Sequence, residues 1–155
     1  MKPIIFSGVL LLAGFANTAV ANCTSDPIVQ GRPLEQLLSG SLVCGRPGAN
    51  YPGGASSPDR WQEEHHTDGE LWDYKKGNGN AIDPRKKVGT WSFVRANDKG
   101  ATAIQVTHSY TGGNSYTWDV RRGSSLKFSF CKGSEEHVVA YINPDGGAGC
   151  GINFP

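Results

Sequence analysis

The chain has 155 residues with 15 basic and 14 acidic side chains, and 21 glycines and 9 prolines are scattered along it. Near-neutral charge gives no support for nucleic acid or an anionic membrane surface as a partner. The length suits one domain with one core, and the dispersed Gly and Pro suit many short strands and turns over long helices.

Residues 1–21, MKPIIFSGVLLLAGFANTAVA, combine an early Lys2, an apolar run through Val9 to Leu12 and the small-residue ending Ala19-Val20-Ala21. This is the pattern of a secretory signal peptide, so residues 22–155 are expected to form a single exported domain, periplasmic or secreted. A lipoprotein would use Cys23 as the acylated residue, but Asn22 stands where a lipobox wants a small residue. No later segment approaches the ~18 apolar residues of a membrane span. Cys23, Cys44, Cys131 and Cys150 all lie after the leader, and an even count in an exported chain reads as two disulfides. The preferred pairing is Cys23 with Cys44 and Cys131 with Cys150, because each closes a short loop and ties down a chain end. Structural zinc would need pairs such as C-x-x-C, which are absent from the sequence.

Pro33 to Leu42 places Leu34, Leu37 and Leu38 at helical spacing, with Pro at the start and Gly40 as a stop, and is the one helix expected. The segment 45–59, rich in Gly and Pro, reads as a loop. Seven strands follow: Trp61 to His66, Glu70 to Lys75, Val88 to Arg95, Ala103 to Tyr110, Tyr116 to Arg122, Leu126 to Cys131 and His137 to Ile142, with a polar loop at 76–87. Their regular spacing predicts an all-β domain, a small antiparallel barrel or sandwich of about seven strands with one short N-terminal helix.

The stretch R-W-Q-E-E-H-H-T-D-G-E-L-W-D-Y-K at 60–75 is dense in histidines, acids and aromatics. Taking Asp68-Gly69 as a two-residue hairpin turn places Trp61, Glu63, His65, Trp72 and Tyr74 on one face, with Gln62, Glu64, His66, Leu71, Asp73 and Lys75 on the other. A three-residue Thr67-Asp68-Gly69 loop would instead pair His66 with Glu70 and mix aromatics with charges. In the next hairpin, a loop at Gly112-Gly113-Asn114 would set Tyr110 opposite Tyr116, His108 opposite Trp118 and Val106 opposite Val120. Trp61, Glu63, His65, Trp72, Tyr74, His108 and Trp118 are therefore the candidate ligand-binding residues of an aromatic inner surface.

Three readings of that surface compete: an aromatic core with histidines and acids reaching water, a cavity for a small molecule, and a catalytic or metal site. No catalytic residue is assigned, since there is no G-x-S-x-G and no free cysteine once the disulfides form. Glu63 and Glu70 share the proposed inner face but at opposite ends of the hairpin. No metal or other cofactor is expected, because His65 and His66 are adjacent and point to opposite faces of a strand.

The segments L-L-S-G-S-L-V-C at 37–44, D-G-E-L-W-D-Y-K at 68–75, D-P-R-K-K-V-G-T-W-S at 83–92 and the F-S-F-C strand ending at 131 resemble a group of small exported proteobacterial β-domain proteins without an established activity. The resemblance spans Leu37 to Cys150 and carries over no catalytic residue. Gly89-Thr90-Trp91 is similar to the G-x-W of lipocalins, although it falls in the third expected strand and not the first; the similarity implies a small barrel with a Trp near its closed end. The function expected is a binding module for a small apolar or sugar-like ligand or a protein partner. The alternatives are a hydrolase using Glu63 and His65, and a structural envelope protein with no ligand.

Overall fold

The structure, a computed structural model, describes residues 22–56, 59–76, 84–98, 101–123, 126–146 and 150, excluding the side chains of 74–76, 96–98 and 101–103. The proposed leader thus lies outside the described residues, as do most of the loop at 76–87 and the side chain of Tyr74.

A short helix, α1 (Arg32–Leu38), precedes eight strands: β1 (Ser41–Pro47), β2 (Arg60–His65), β3 (Glu70–Lys76), β4 (Lys86–Asp98), β5 (Ala101–Tyr110), β6 (Ser115–Arg122), β7 (Lys127–Lys132) and β8 (Glu135–Asn143). Each strand pairs antiparallel with the next, and β8 returns to β1, closing a barrel. Closure leaves no sheet edge exposed, and eight strands enclose an interior wide enough for packed side chains or one small ligand. The expected all-β architecture is therefore observed as a barrel, with one strand more than the sequence predicts. The extra strand is β1, where Leu42 belongs to a strand and not to the end of the helix, and where Gly45 and Pro47 extend into the expected loop.

Gly45 is in a strand because of its partner across the sheet. It lies opposite Trp61, and a Cβ at Gly45 would run into the Trp61 indole. The missing side chain makes room for the ring inside the barrel.

Alternation along the strands divides the molecule into an inner and an outer set. Val43, Leu71, Trp91, Val106, Val120, Phe128, Phe130, Ala140 and Ile142 form one buried cluster, joined by Leu34, Leu37 and Leu38 of α1. The helix lies at the end of the barrel where β2 turns into β3, with the Gly40 amide donating to the His65 carbonyl. The segment before it is fixed at the same end, where Val29 N–H donates to Val120 O. Trp91 closes this end as well, donating from Nε1 to the His66 carbonyl at 3.0 Å.

The disulfides join Cys23 to Cys131 and Cys44 to Cys150, spanning 108 and 106 residues, so the expected short-loop pairing is replaced by two long-range bridges. The reason is the closure itself. Cys44 on β1 and Cys131 on β7 project from the outside of the wall, where the two ends of the chain cross it. Cys44, Leu42 and Cys150 form a second small apolar cluster there. Two disulfides fit a chain that folds in an oxidising compartment. No helix among the described residues is long and apolar enough to cross a membrane.

Candidate functional site

The hairpin β2–β3 adopts the three-residue loop. His65 pairs with Leu71, Glu63 with Asp73 and Gln62 with Tyr74, while His66 N–H donates to Glu70 O. Asp68 fixes the turn by accepting from the Glu70 amide at 3.0 Å, and Gly69 takes a positive φ of 86°. This corrects the expected two-residue turn, and the one-residue difference exchanges the faces of β3. Leu71 and Asp73 turn inward. Trp72 turns outward, stacking on His66 at 5.7 Å under the guanidinium of Arg85 at 4.5 Å. Trp72 is therefore removed from the candidate site, and Glu70 with it: its carboxylate binds Lys87 and the Trp72 indole outside, and these contacts lower its pKa, Lys87 foremost. The paired-carboxylate arrangement of Glu63 and Glu70 does not exist.

The β5–β6 hairpin also slips, by two residues, to pair His108 with Tyr116 and Val106 with Trp118. An even slip preserves faces, so His108, Tyr110, Tyr116 and Trp118 remain on the inner side as expected. His65 and His66 are divided as alternation requires, His65 wholly buried and His66 outside on Glu64 at 2.9 Å.

Inside the barrel, three strands, β2, β3 and β5, bring ionisable groups together. Tyr110 donates to Glu63 Oε1 at 2.5 Å, Glu63 Oε2 lies 3.7 Å from His108 Nδ1, and His108 Nε2 meets His65 Nε2 at 3.0 Å. Glu63, His65, Asp73 and His108 are each at most 5% exposed. Burying such groups is costly, and concentrating them in one place is characteristic of sites. Burial holds both imidazoles neutral, pushing His108 down to about 4 and His65 well below its usual range, the latter reinforced by His108. Burial and then the Glu63 charge drive the Tyr110 phenol far up, so it remains a donor.

Above this row lies a cavity of about 890 Å³ at the end of the barrel opposite α1. Glu63, Asp73, His108 and Tyr110 face it from one side, Val43, Val138 and Phe130 from another, and Trp61, Tyr116 and Trp118 rise towards the mouth. Two stacked ring pairs flank the opening: Tyr51 on Trp61 at 5.8 Å and Tyr116 on Trp118 at 5.6 Å. Trp61 stands on β2 and Tyr116 and Trp118 on β6, which are diametrically placed in the strand order, while Tyr51 comes from the connection between β1 and β2. A shallower depression of about 360 Å³ bordered by Gly40, Glu64, His66 and Thr67 at the closed end shares none of these rings.

Of the expected site residues, the structure gathers Trp61, Glu63, His65, His108 and Trp118 into one interior; it expels Trp72, and the Tyr74 side chain lies outside those described. Asp73 and Tyr110 were not among the candidates. Tyr110 was visible in the alternation of β5, whereas Asp73 was assigned to the wet face by the two-residue turn. Comparison with protein-family models, with curated proteins and with solved structures finds no match.

Proposed function

We propose that this protein is an exported binding module that receives one small ring-containing molecule, aromatic or sugar-like, in the mouth of the barrel. The observation that carries this reading is the cavity of about 890 Å³, within the roughly 300–1,000 Å³ usual for ligand pockets. Its composition supports the same reading. Rings at the mouth offer flat apolar faces, and a few polar groups at the base offer fixed directions: the Glu63 carboxylate accepts, while Tyr110 and His108 orient it. The N-terminal signal pattern and the two disulfides support export to the periplasm or the medium.

A hydrolase using Glu63 and His65 has less support, because the His65 ring is engaged with His108 beneath the cavity, away from its open end. The test is a thermal-unfolding screen of the chain against aromatic acids, phenols and mono- and disaccharides. A ligand present at 100 times its Kd should add about 2.7 kcal/mol of stability. The effect should disappear in Trp118→Ala. Lack of stabilisation by any of these classes contradicts the reading.

A further inference from the structure

We propose that His65, His108 and Glu63 form a binding site for one divalent transition-metal ion at the base of the cavity. The three residues each offer a ligand atom within 4.8 Å of the others, and all three are buried. They come from β2 and β5, which are not adjacent in the barrel, so the cluster is made by closure across the interior and has no counterpart in sequence spacing.

The two imidazoles carry the argument. Their Nε2 atoms are 3.0 Å apart. At metal–nitrogen bonds of about 2.0–2.1 Å, that separation corresponds to a ligand–metal–ligand angle of roughly 90–100°, and a shift of a few tenths of an ångström reaches the tetrahedral value. Both rings are buried, and neutral imidazole is the form that ligates a metal. His65 Nδ1 makes no full hydrogen bond among the described residues, so that ring is fixed through its Nε2 contact to His108.

Glu63 supplies the third ligand and the charge match. Its Oε1 is held by the Tyr110 hydroxyl, and its Oε2, 3.7 Å from His108 Nδ1, is the atom that turns to the ion. Glu63 and His108 both border the cavity, giving an entry path and leaving the remaining coordination positions towards the mouth. Neutral imidazole with carboxylate suits Zn²⁺ and its first-row neighbours rather than Ca²⁺ or Mg²⁺. The ion's site stands independently of which organic molecule, if any, enters above it.

The test uses the four histidines of the intact chain, His65, His66, His108 and His137. Long-range ¹H–¹⁵N spectra of the imidazoles are recorded while Zn²⁺ alone is added at neutral pH. One equivalent should shift the Nε2 resonances of both His65 and His108 and leave both rings protonated at Nδ1. Movement of only His66 or His137, or of no ring, overturns the proposal; His66 with Asp68 and Glu70 forms a surface group that would capture the ion instead. In parallel, Co²⁺ affinity should fall at least about a hundredfold in His108→Gln and stay unchanged in His66→Gln. Equal affinity in the two variants also overturns it, and should His108→Gln fail to fold, the wild-type spectra decide.

Discussion

At the closed end of the barrel, Leu34 and Leu38 of α1 meet Leu71, Trp91, Val106, Val120 and Phe128, with Leu34, Leu38, Leu71, Val106, Val120 and Phe128 fully buried. Towards the open end, β2, β3 and β5 carry Glu63, Asp73, His108 and Tyr110 beneath an open volume ringed by Trp61, Tyr116 and Trp118. One end maximises apolar contact and satisfies the backbone of the segment that plugs it. The other retains ionisable groups where hydrocarbon would pack better. A barrel separates these tasks along its axis because alternation sends every second side chain inward over the whole length of each strand. The closed half then supplies the stability that lets the mouth remain polar and unfilled.

Four perturbations sharpen that contrast. The largest effect should come from the clasp outside both halves. Replacing Cys44 and Cys150 with Ala releases a bridge across 106 residues and should lower stability by about 4–5 kcal/mol in urea unfolding, with the loss shared by both ends. Next, Leu38→Ala at the closed end should cost about 3 kcal/mol by opening a cavity in the apolar half, while the imidazole spectrum of His108 keeps its wild-type form. A comparable loss of ligand binding in that variant would break the division between the ends.

Acid addresses the polar half alone. The folded-state pKa of His108 is depressed to about 4 and that of His65 lies well below the usual value of 6.5, so between pH 6.5 and about 4 the unfolded chain binds more protons than the folded one. Stability is therefore complete above pH 6.5 and falls as pH drops through that window, by on the order of 3 kcal/mol from His108. His108→Gln should flatten the slope, as measured by chemical unfolding at stepped pH. The smallest effect belongs to the outer wall: Trp72→Ala should change stability by less than about 1 kcal/mol and leave ligand and metal binding intact, because its ring stacks outside on His66 beneath Arg85.

Much of the fold was legible from alternation. The strands from Val88 to Ile142 were placed within a few residues of their observed limits, since β-branched and aromatic runs bounded by Gly and Ser leave little freedom. The missed strand, β1, hides behind Gly45 and Pro47, whose reasons are tertiary: Gly45 yields to the Trp61 ring and Pro47 lies beside the first loop. The disulfide pairing was illegible because it depends on which strands closure brings next to the chain ends. In the site, Glu63, His65 and His108 were found from parity, but the choice between a two- and a three-residue turn at Asp68-Gly69 reversed β3. Gathering the aromatics onto one face favoured the wrong turn, and a Trp that is stable outside, under Arg85, defeated that preference. The meeting of His65 with His108 follows from barrel closure, which no local pattern encodes.

The chain's four tryptophans, Trp61, Trp72, Trp91 and Trp118, report on the mouth, the outer wall and the closed end separately. Their indole N–H resonances should be followed while compounds that stabilise the protein are titrated in. A ligand in the mouth moves Trp61 and Trp118 and leaves Trp72 and Trp91 in place. Movement of Trp72 or Trp91 with Trp61 and Trp118 unchanged would place binding elsewhere and contradict the assignment of function to the open end.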